Sequence, residues 1–217
     1  MSDSPLELVT IVSQDFQENT FVVRLHPRTD CVVIDPGMEP ERIEDYLRRA
    51  GLAPAAILLT HGHADHIAGC GLLKHRWPQC PIVIGHGDSA KLEDATQNLS
   101  ALFGFFVTSP AADRLVEDGD VYSAAGFDFH VLAVPGHSAG HVVYLWKGQV
   151  PFVAFVGDVI FAGSVGRTDF PDGDAEQLIR HIHGKVFTLP DDTVLYPGHG
   201  PATTVGYEKR YNPFARL

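Results

Sequence analysis

The stretch Ala55-Ala56-Ile57-Leu58-Leu59-Thr60-His61-Gly62-His63-Ala64-Asp65-His66 changes character at Thr60. Before that residue runs a continuous apolar segment of strand length, which is expected of a strand covered on both faces. After it, three imidazoles and one carboxylate fall within six residues, and from Asp65 to Trp77 the pattern predicts a helix that Pro78 stops. The donors therefore occupy a strand-to-helix loop, where a sheet fixes side chains and the loop exposes them. A lone histidine in such a place would be a helix cap or surface decoration. Four potential ligands cannot all be buried without polar partners of their own, so they must meet something polar. Histidine is the commonest metal ligand, which makes an ion the first expectation.

The same style of sequence continues on both sides. Residues 8–12, 20–25 and 31–35 are short, rich in β-branched side chains and bounded by turn signals such as His26-Pro27 and Pro36-Gly37, so they predict strands. From Pro40 to Ala50 the apolar positions recur at three- and four-residue steps and Gly51 follows, which predicts a capped helix. Further strands are expected at 82–84, 127–134, 141–146, 152–157 and 193–196, a helix at 174–187, and one or two short helices within 88–106. Strand runs followed by helices in both halves imply an α/β chain of two sheets packed face to face with helices outside. No linker, low-complexity tract or repeat interrupts the 217 residues, so one domain over 1–217 is the simplest expectation.

Composition narrows the function classes. Sixteen Lys plus Arg against 27 Asp plus Glu leave a net charge of −11, with no basic run longer than Arg48-Arg49, which argues against nucleic acid. The longest apolar stretch, 151–163, is broken by Asp158 and too short to span a bilayer. The first residues lack the pattern of a secretory leader, and Cys31, Cys70 and Cys80 are an odd number with no CxxC spacing; both point to a cytoplasmic protein with reduced thiols.

Three later segments match the first loop in placement. Gly136-His137-Ser138, Gly157-Asp158 and Pro197-Gly198-His199-Gly200 each follow an apolar run by one to three residues, so a common sheet edge would bring their donors to His61, His63, Asp65 and His66. Seven donors exceed the four that one tetrahedral zinc accepts and suit two metals with a shared carboxylate. Such a pair makes hydroxide available at neutral pH and clamps a carbonyl under attack.

These four segments resemble the metallo-β-lactamase superfamily and, within it, the glyoxalase II-like thioesterases of a short bacterial branch; the resemblance runs from about Asn19 to Pro213. It implies an αββα four-layer sandwich, two mixed sheets flanked by helices, with two divalent metals, zinc first and iron or manganese as alternatives, at one edge. By that resemblance His61, His63 and His137 hold one metal, Asp65, His66 and His199 the other, and Asp158 bridges them. Asp65 also orients the hydroxide, and Asp35 is a candidate to support the site from behind. The implied reaction is hydrolysis of a small-molecule thioester such as S-lactoylglutathione.

Departures from the family shape the expectation. The common β-lactamase subclass has cysteine where Asp158 stands, which argues against antibiotic hydrolysis, and flavo-diiron proteins have glutamate in place of His63. Full-length glyoxalase II adds a C-terminal helical domain with cationic glutathione contacts, and this chain stops eighteen residues after His199. A mononuclear-iron persulfide dioxygenase shares the Gly166-Arg167-Thr168-Asp169-Phe170 segment and remains an alternative, as does a lactonase or other ester hydrolase. Two divalent cations over-compensate two aspartates and a hydroxide, so the site attracts an anion despite the acidic chain. Arg167 is the candidate to grip a substrate carboxylate in bidentate fashion. His141 is a supporting candidate, His181 and His183 are poor joint ligands, and the Phe-rich stretch 103–106 is assigned to the core.

Overall fold

The computed structural model describes residues 5–215. Strands β1 (Leu6–Val12), β2 (Asn19–Leu25), β3 (Asp30–Ile34), β4 (Ala53–Leu59), β5 (Ile82–Gly85) and β6 (Arg114–Val116) lie side by side in that order as the first sheet. The pairs β1·β2 and β2·β3 are antiparallel, and β3 to β6 run parallel. The second sheet takes β7 (Val121–Ala124), β8 (Phe127–Ala133), β9 (Val142–Trp146), β10 (Val153–Gly157), β13 (Val194–Pro197) and β14 (Thr203–Thr204), in the spatial order β14-β13-β10-β9-β8-β7. Its one parallel pair is β10·β13. A small hairpin, β11 (Ile160–Phe161) and β12 (Ser164–Val165), stands apart.

Period-two side-chain alternation builds the layers. On β4, Ala56 and Leu58 join Phe21, Val32, Phe127, Phe129, Tyr144 and Phe155 in the core between the sheets. Ile57 and Leu59 face the other way, onto helices α1 (Pro40–Ala50), α2 (Ala64–Ile67) and α3 (Cys70–Arg76), with Ile43, Leu47, Ile67 and Leu73. The second sheet repeats this: Val143 and Leu145 pack outward with Leu178 of α4 (Ala175–His181) and Val205 of α5 (Val205–Tyr211). Three apolar interfaces separate four layers, the αββα sandwich, and both central sheets are mixed. Because β4 and β9 are covered on both faces, each reads as an unbroken apolar run.

The expected helix over 65–77 is instead two. Its chain turns at Ala68-Gly69, where the Gly69 N–H leaves the helical ladder and donates to the Pro36 carbonyl at 2.7 Å. A side chain at Gly69 would meet that carbonyl at 2.9 Å, so the break lets the helix abut the loop after β3. Helix α1 ends as expected, with Gly51 at φ 64° donating to the Arg48 and Leu47 carbonyls.

Candidate metal centre

The seven donors meet at one end of the sandwich. His61, His63, Asp65 and His66 follow β4, while His137, Asp158 and His199 follow β8, β10 and β13, so the site straddles the seam between the sheets. His61, His63 and His137 form one group, Asp65, His66 and His199 another, and His61, His66 and Asp158 a third that overlaps both; within each, the nearest donor atoms lie no more than 4.8 Å apart. Asp158 sits between the first two groups: its Oδ2 is 3.6 Å from both His137 Nε2 and His199 Nε2, and its Oδ1 is 3.4 Å from His66 Nε2. His63 Nδ1 and His137 Nε2 are 3.0 Å apart, and Asp65 Oδ2 is 3.3 Å from His199 Nε2.

Close approach explains the glycines beside these residues. At Gly157, φ is 47°, and a Cβ would collide with the Thr60 hydroxyl; at Gly198 it would collide with Asp158 Oδ1. Only glycine lets β10 and β13 bring Asp158 and His199 this near the first loop.

The donor set fits a pair of cations. Nε2 of His61, His63 and His66 and Oδ1 of Asp158 are buried without a hydrogen bond, a condition native folds rarely leave uncompensated. Burial and the surrounding rings push His61 well below the ordinary histidine range, and burial takes His63 down to about 3, so both keep free lone pairs. Burial opposes charge on Asp65 and Asp158, but the neighbouring imidazoles, His66 foremost, together outweigh it and hold both carboxyls below their usual range. His66 and His199 shift the other way, because Asp65 and Asp158 overcome their desolvation. With His61 and His63 held neutral, both carboxylates ionised and no thiolate, the set suits zinc, iron or manganese, which would displace the protons of His66 and His199.

Supporting residues orient these rings. Asp35, at φ 47°, accepts from the Thr60 N–H and hydroxyl at 2.7 Å each, and its Oδ2 is 3.1 Å from His66 Nδ1, which leaves His66 Nε2 facing the centre. His137 Nδ1 is 2.8 Å from the Arg167 carbonyl, which directs its Nε2 inward. His141 stacks on His61 with centroids 4.8 Å apart and accepts from the Asp158 N–H.

Two supports were not visible in the sequence. The wholly buried Asp88 accepts from Gly62 N–H at 2.8 Å, Gly140 N–H at 2.7 Å and the Ser138 hydroxyl at 2.7 Å, and Lys91 Nζ lies 3.3 Å away. It thereby ties the His61–His63 loop to the His137–His141 loop. Asn19 donates its side-chain amide to the carbonyls of Pro197 and Gly200 and so pins the His199 loop. Lys91 aside, the hydrogen-bonded partners of these side chains lie 26 to 181 positions away, where no local pattern announces them.

Over the centre opens a cavity of about 370 Å³, lined by His63, Asp65, His137, Asp158 and His199 at its floor and by apolar side chains above. Phe103 and Phe105 belong to this lining, and Phe106 is 82% exposed, so the stretch assigned to the core is largely a wall and rim. Arg167 also lines the cavity, yet the fork expected to hold a substrate carboxylate is already used: its Nε and Nη2 each lie 2.7 Å from the Asp169 carboxylate. Cys31, Cys70 and Cys80 are buried, and burial pushes each thiol up to about 12, which suits packing rather than nucleophilic chemistry.

The model of the metallo-β-lactamase superfamily matches residues 14–199. The chain belongs to that superfamily. A probable metallo-hydrolase, YqgX of Bacillus subtilis, is 40% identical over 185 residues, covering 85% of this chain and 86% of that one. Hydroxyacylglutathione hydrolase GloC of Haemophilus influenzae is 35% identical over 216 residues, with 96% and 97% covered. Among solved structures, the B3 metallo-β-lactamase BLEG-1 superposes with a TM-score of 0.91 at 36% identity, over 96% of this chain and 99% of that one. TTHA1623 in a di-iron-bound form gives 0.82 at 36% identity, over 95% and 99%. This superfamily member is a metal-dependent hydrolase with candidate His/Asp groups for two ions. None of its described helices is long and apolar enough to cross a membrane.

Proposed function

We propose that this metallo-β-lactamase-fold hydrolase cleaves thioesters, with S-lactoylglutathione as the reference substrate. His61, His63 and His137 would hold one divalent ion, Asp65, His66 and His199 a second, and Asp158 would contact both. Zinc is the first choice, and the di-iron form of TTHA1623 keeps iron in view. Ions bound there lower the pKa of water towards 7 and polarise a carbonyl oxygen.

The chain's own groups do the rest. Asp65, at the cavity floor, orients the attacking water, whose proton passes to solvent through the open cavity. The water oxygen bonds to the carbonyl carbon, the C–S bond breaks and its electron pair leaves on sulfur as a thiolate. A thiol of pKa about 8.5 departs without needing a proton. That matters because Asp65 and Asp158 are held ionised and are poor general acids. A good leaving group therefore suits this floor better than an unactivated amide.

The observation that carries the reading is the meeting of seven donors, four of their buried atoms without a hydrogen bond, beneath an open cavity. GloC's name supports the substrate type. The likeness to BLEG-1 favours a second reading, opening of a strained β-lactam amide by the same groups. Zinc- and iron-loaded protein assayed with S-lactoylglutathione, nitrocefin and glutathione persulfide separates the possibilities. Thioester cleavage by the two-metal form is expected; oxygen uptake on the persulfide by a one-iron form without thioester cleavage would overturn the proposal.

A further inference from the structure

Beyond the five donors at its floor, the cavity offers a substrate almost nothing polar. Phe16, Leu99, Phe103, Phe105, Phe161 and Phe170 form much of it. Phe16 and Phe105 meet edge to face at 5.7 Å, while Phe161 leans on His199 at 6.1 Å and Phe170 on His63 at 5.6 Å. The apolar surface thus begins at the donors themselves. Phe103 is 55% exposed at the mouth, apolar area that a bound acyl chain would cover.

The polar groups in this wall are already engaged. Asn98 donates its amide to the carbonyls of Lys91 and Val107, and its Oδ1 accepts from the Ser100 N–H and hydroxyl. Arg167 is the one Lys or Arg among the described lining residues; it is paired in bidentate fashion with Asp169, and its guanidinium lies over the Phe170 ring at 4.2 Å. Lys91 is buried against Asp172 and Asp88, and Lys209 is paired with Asp191. A glutathione conjugate carries two carboxylates and an ammonium group, and this wall presents no uncommitted cation to receive the former. Leaving charged groups unmatched against apolar surface costs affinity, whereas an alkyl or aryl chain gains from the same surface.

We propose that the site selects thioesters with an apolar acyl group on an uncharged thiol over glutathione conjugates. This rests on the thioesterase reading and sharpens it. Four esters test it: lactoyl and hexanoyl groups, each on glutathione and on N-acetylcysteamine. The kcat/KM for hexanoyl-N-acetylcysteamine is expected to exceed that for S-lactoylglutathione by at least about tenfold, the ratio that burial of two methylenes supplies. Phe105→Ala should shrink the hexanoyl-to-lactoyl ratio several-fold. Asp169→Asn, which releases Arg167, should raise kcat/KM for the glutathione esters relative to the neutral ones. S-lactoylglutathione as the best of the four overturns the proposal.

A binding arm keeps the two readings apart. S-hexyl-N-acetylcysteamine and S-hexylglutathione, thioethers that cannot be hydrolysed, are titrated into zinc-loaded protein by calorimetry. Tighter binding of the neutral thioether supports the preference even if no ester turns over, in which case the thioesterase reading alone falls. Tighter binding of S-hexylglutathione removes the preference.

Discussion

Replacing Asp88 with asparagine changes one oxygen for an amide in a pocket built entirely of donors. Oδ1 serves Gly140 N–H and lies near Lys91 Nζ, while Oδ2 serves Gly62 N–H and the Ser138 hydroxyl. The asparagine oxygen is best placed on the Oδ1 side, facing the ammonium. Its amide then faces Ser138, which can turn its hydroxyl and accept, and Gly62, which cannot. One buried backbone N–H loses its partner and confronts another donor, a cost of about 2 kcal/mol. In a chain of this size that lowers the midpoint of thermal unfolding by about 4–8 °C. Because Gly62 lies between His61 and His63, the orphaned N–H also loosens the loop that carries them. Zinc affinity should fall by about 10–100-fold, the usual effect of losing a partner behind a ligand. Scanning calorimetry on chelator-treated protein reads the first effect, and zinc titration monitored by cobalt displacement spectra reads the second. An unfolding midpoint within about 1 °C of the parent together with unchanged zinc affinity would refute the bracing role.

Three other outcomes follow from the same geometry. Asp158→Ala should bind fewer ions per chain and abolish turnover; elemental analysis showing two ions retained with full activity would remove Asp158 from between the groups. His66 and His199 are held above the ordinary histidine range of 6.5, so the ion-free centre carries protons near neutrality that a cation must displace. Zinc affinity should therefore rise with pH through neutrality, and calorimetry at about pH 7 in buffers of different ionisation enthalpy should show proton release on binding; none released would contradict the shifts. Glu18 is wholly buried, and burial raises its carboxyl well above the ordinary value of 4.5. The folded chain then binds more protons than the unfolded one above that value, so stability falls as pH rises from 4.5 towards the folded pKa. In ion-free protein Glu18→Gln should raise the unfolding midpoint at about pH 8 and not at about pH 4; equal shifts at both would sink this account.

Much of the architecture is legible in the chain because burial on two faces leaves a continuous apolar imprint, as at 55–59 and 153–157. The spatial meeting of the seven donors was legible for a related reason: each stands just past the end of such a run, and neighbouring strands share an edge. Contacts made at a distance were not legible. Nothing near Gly69 announces that its N–H belongs to Pro36, and nothing near Asp88 announces Gly62 or Gly140. Phe103, Phe105 and Phe106 lie in irregular backbone, where no period assigns a side chain to inside or outside, so hydrophobicity alone pointed to the core. Arg167 was identifiable as a cation near the centre, but whether its fork was free depended on Asp169 two residues on, which only the folded loop decides.

The division of donors across the seam bears on how the protein matures. A nascent chain that has exposed the first sheet offers His61, His63, Asp65 and His66, but His137, Asp158 and His199 follow only with the second sheet. A complete nest for two cations exists only after both halves have docked. Ion binding in such a nest would therefore be coupled to the docking of the two sheets rather than to the folding of either alone.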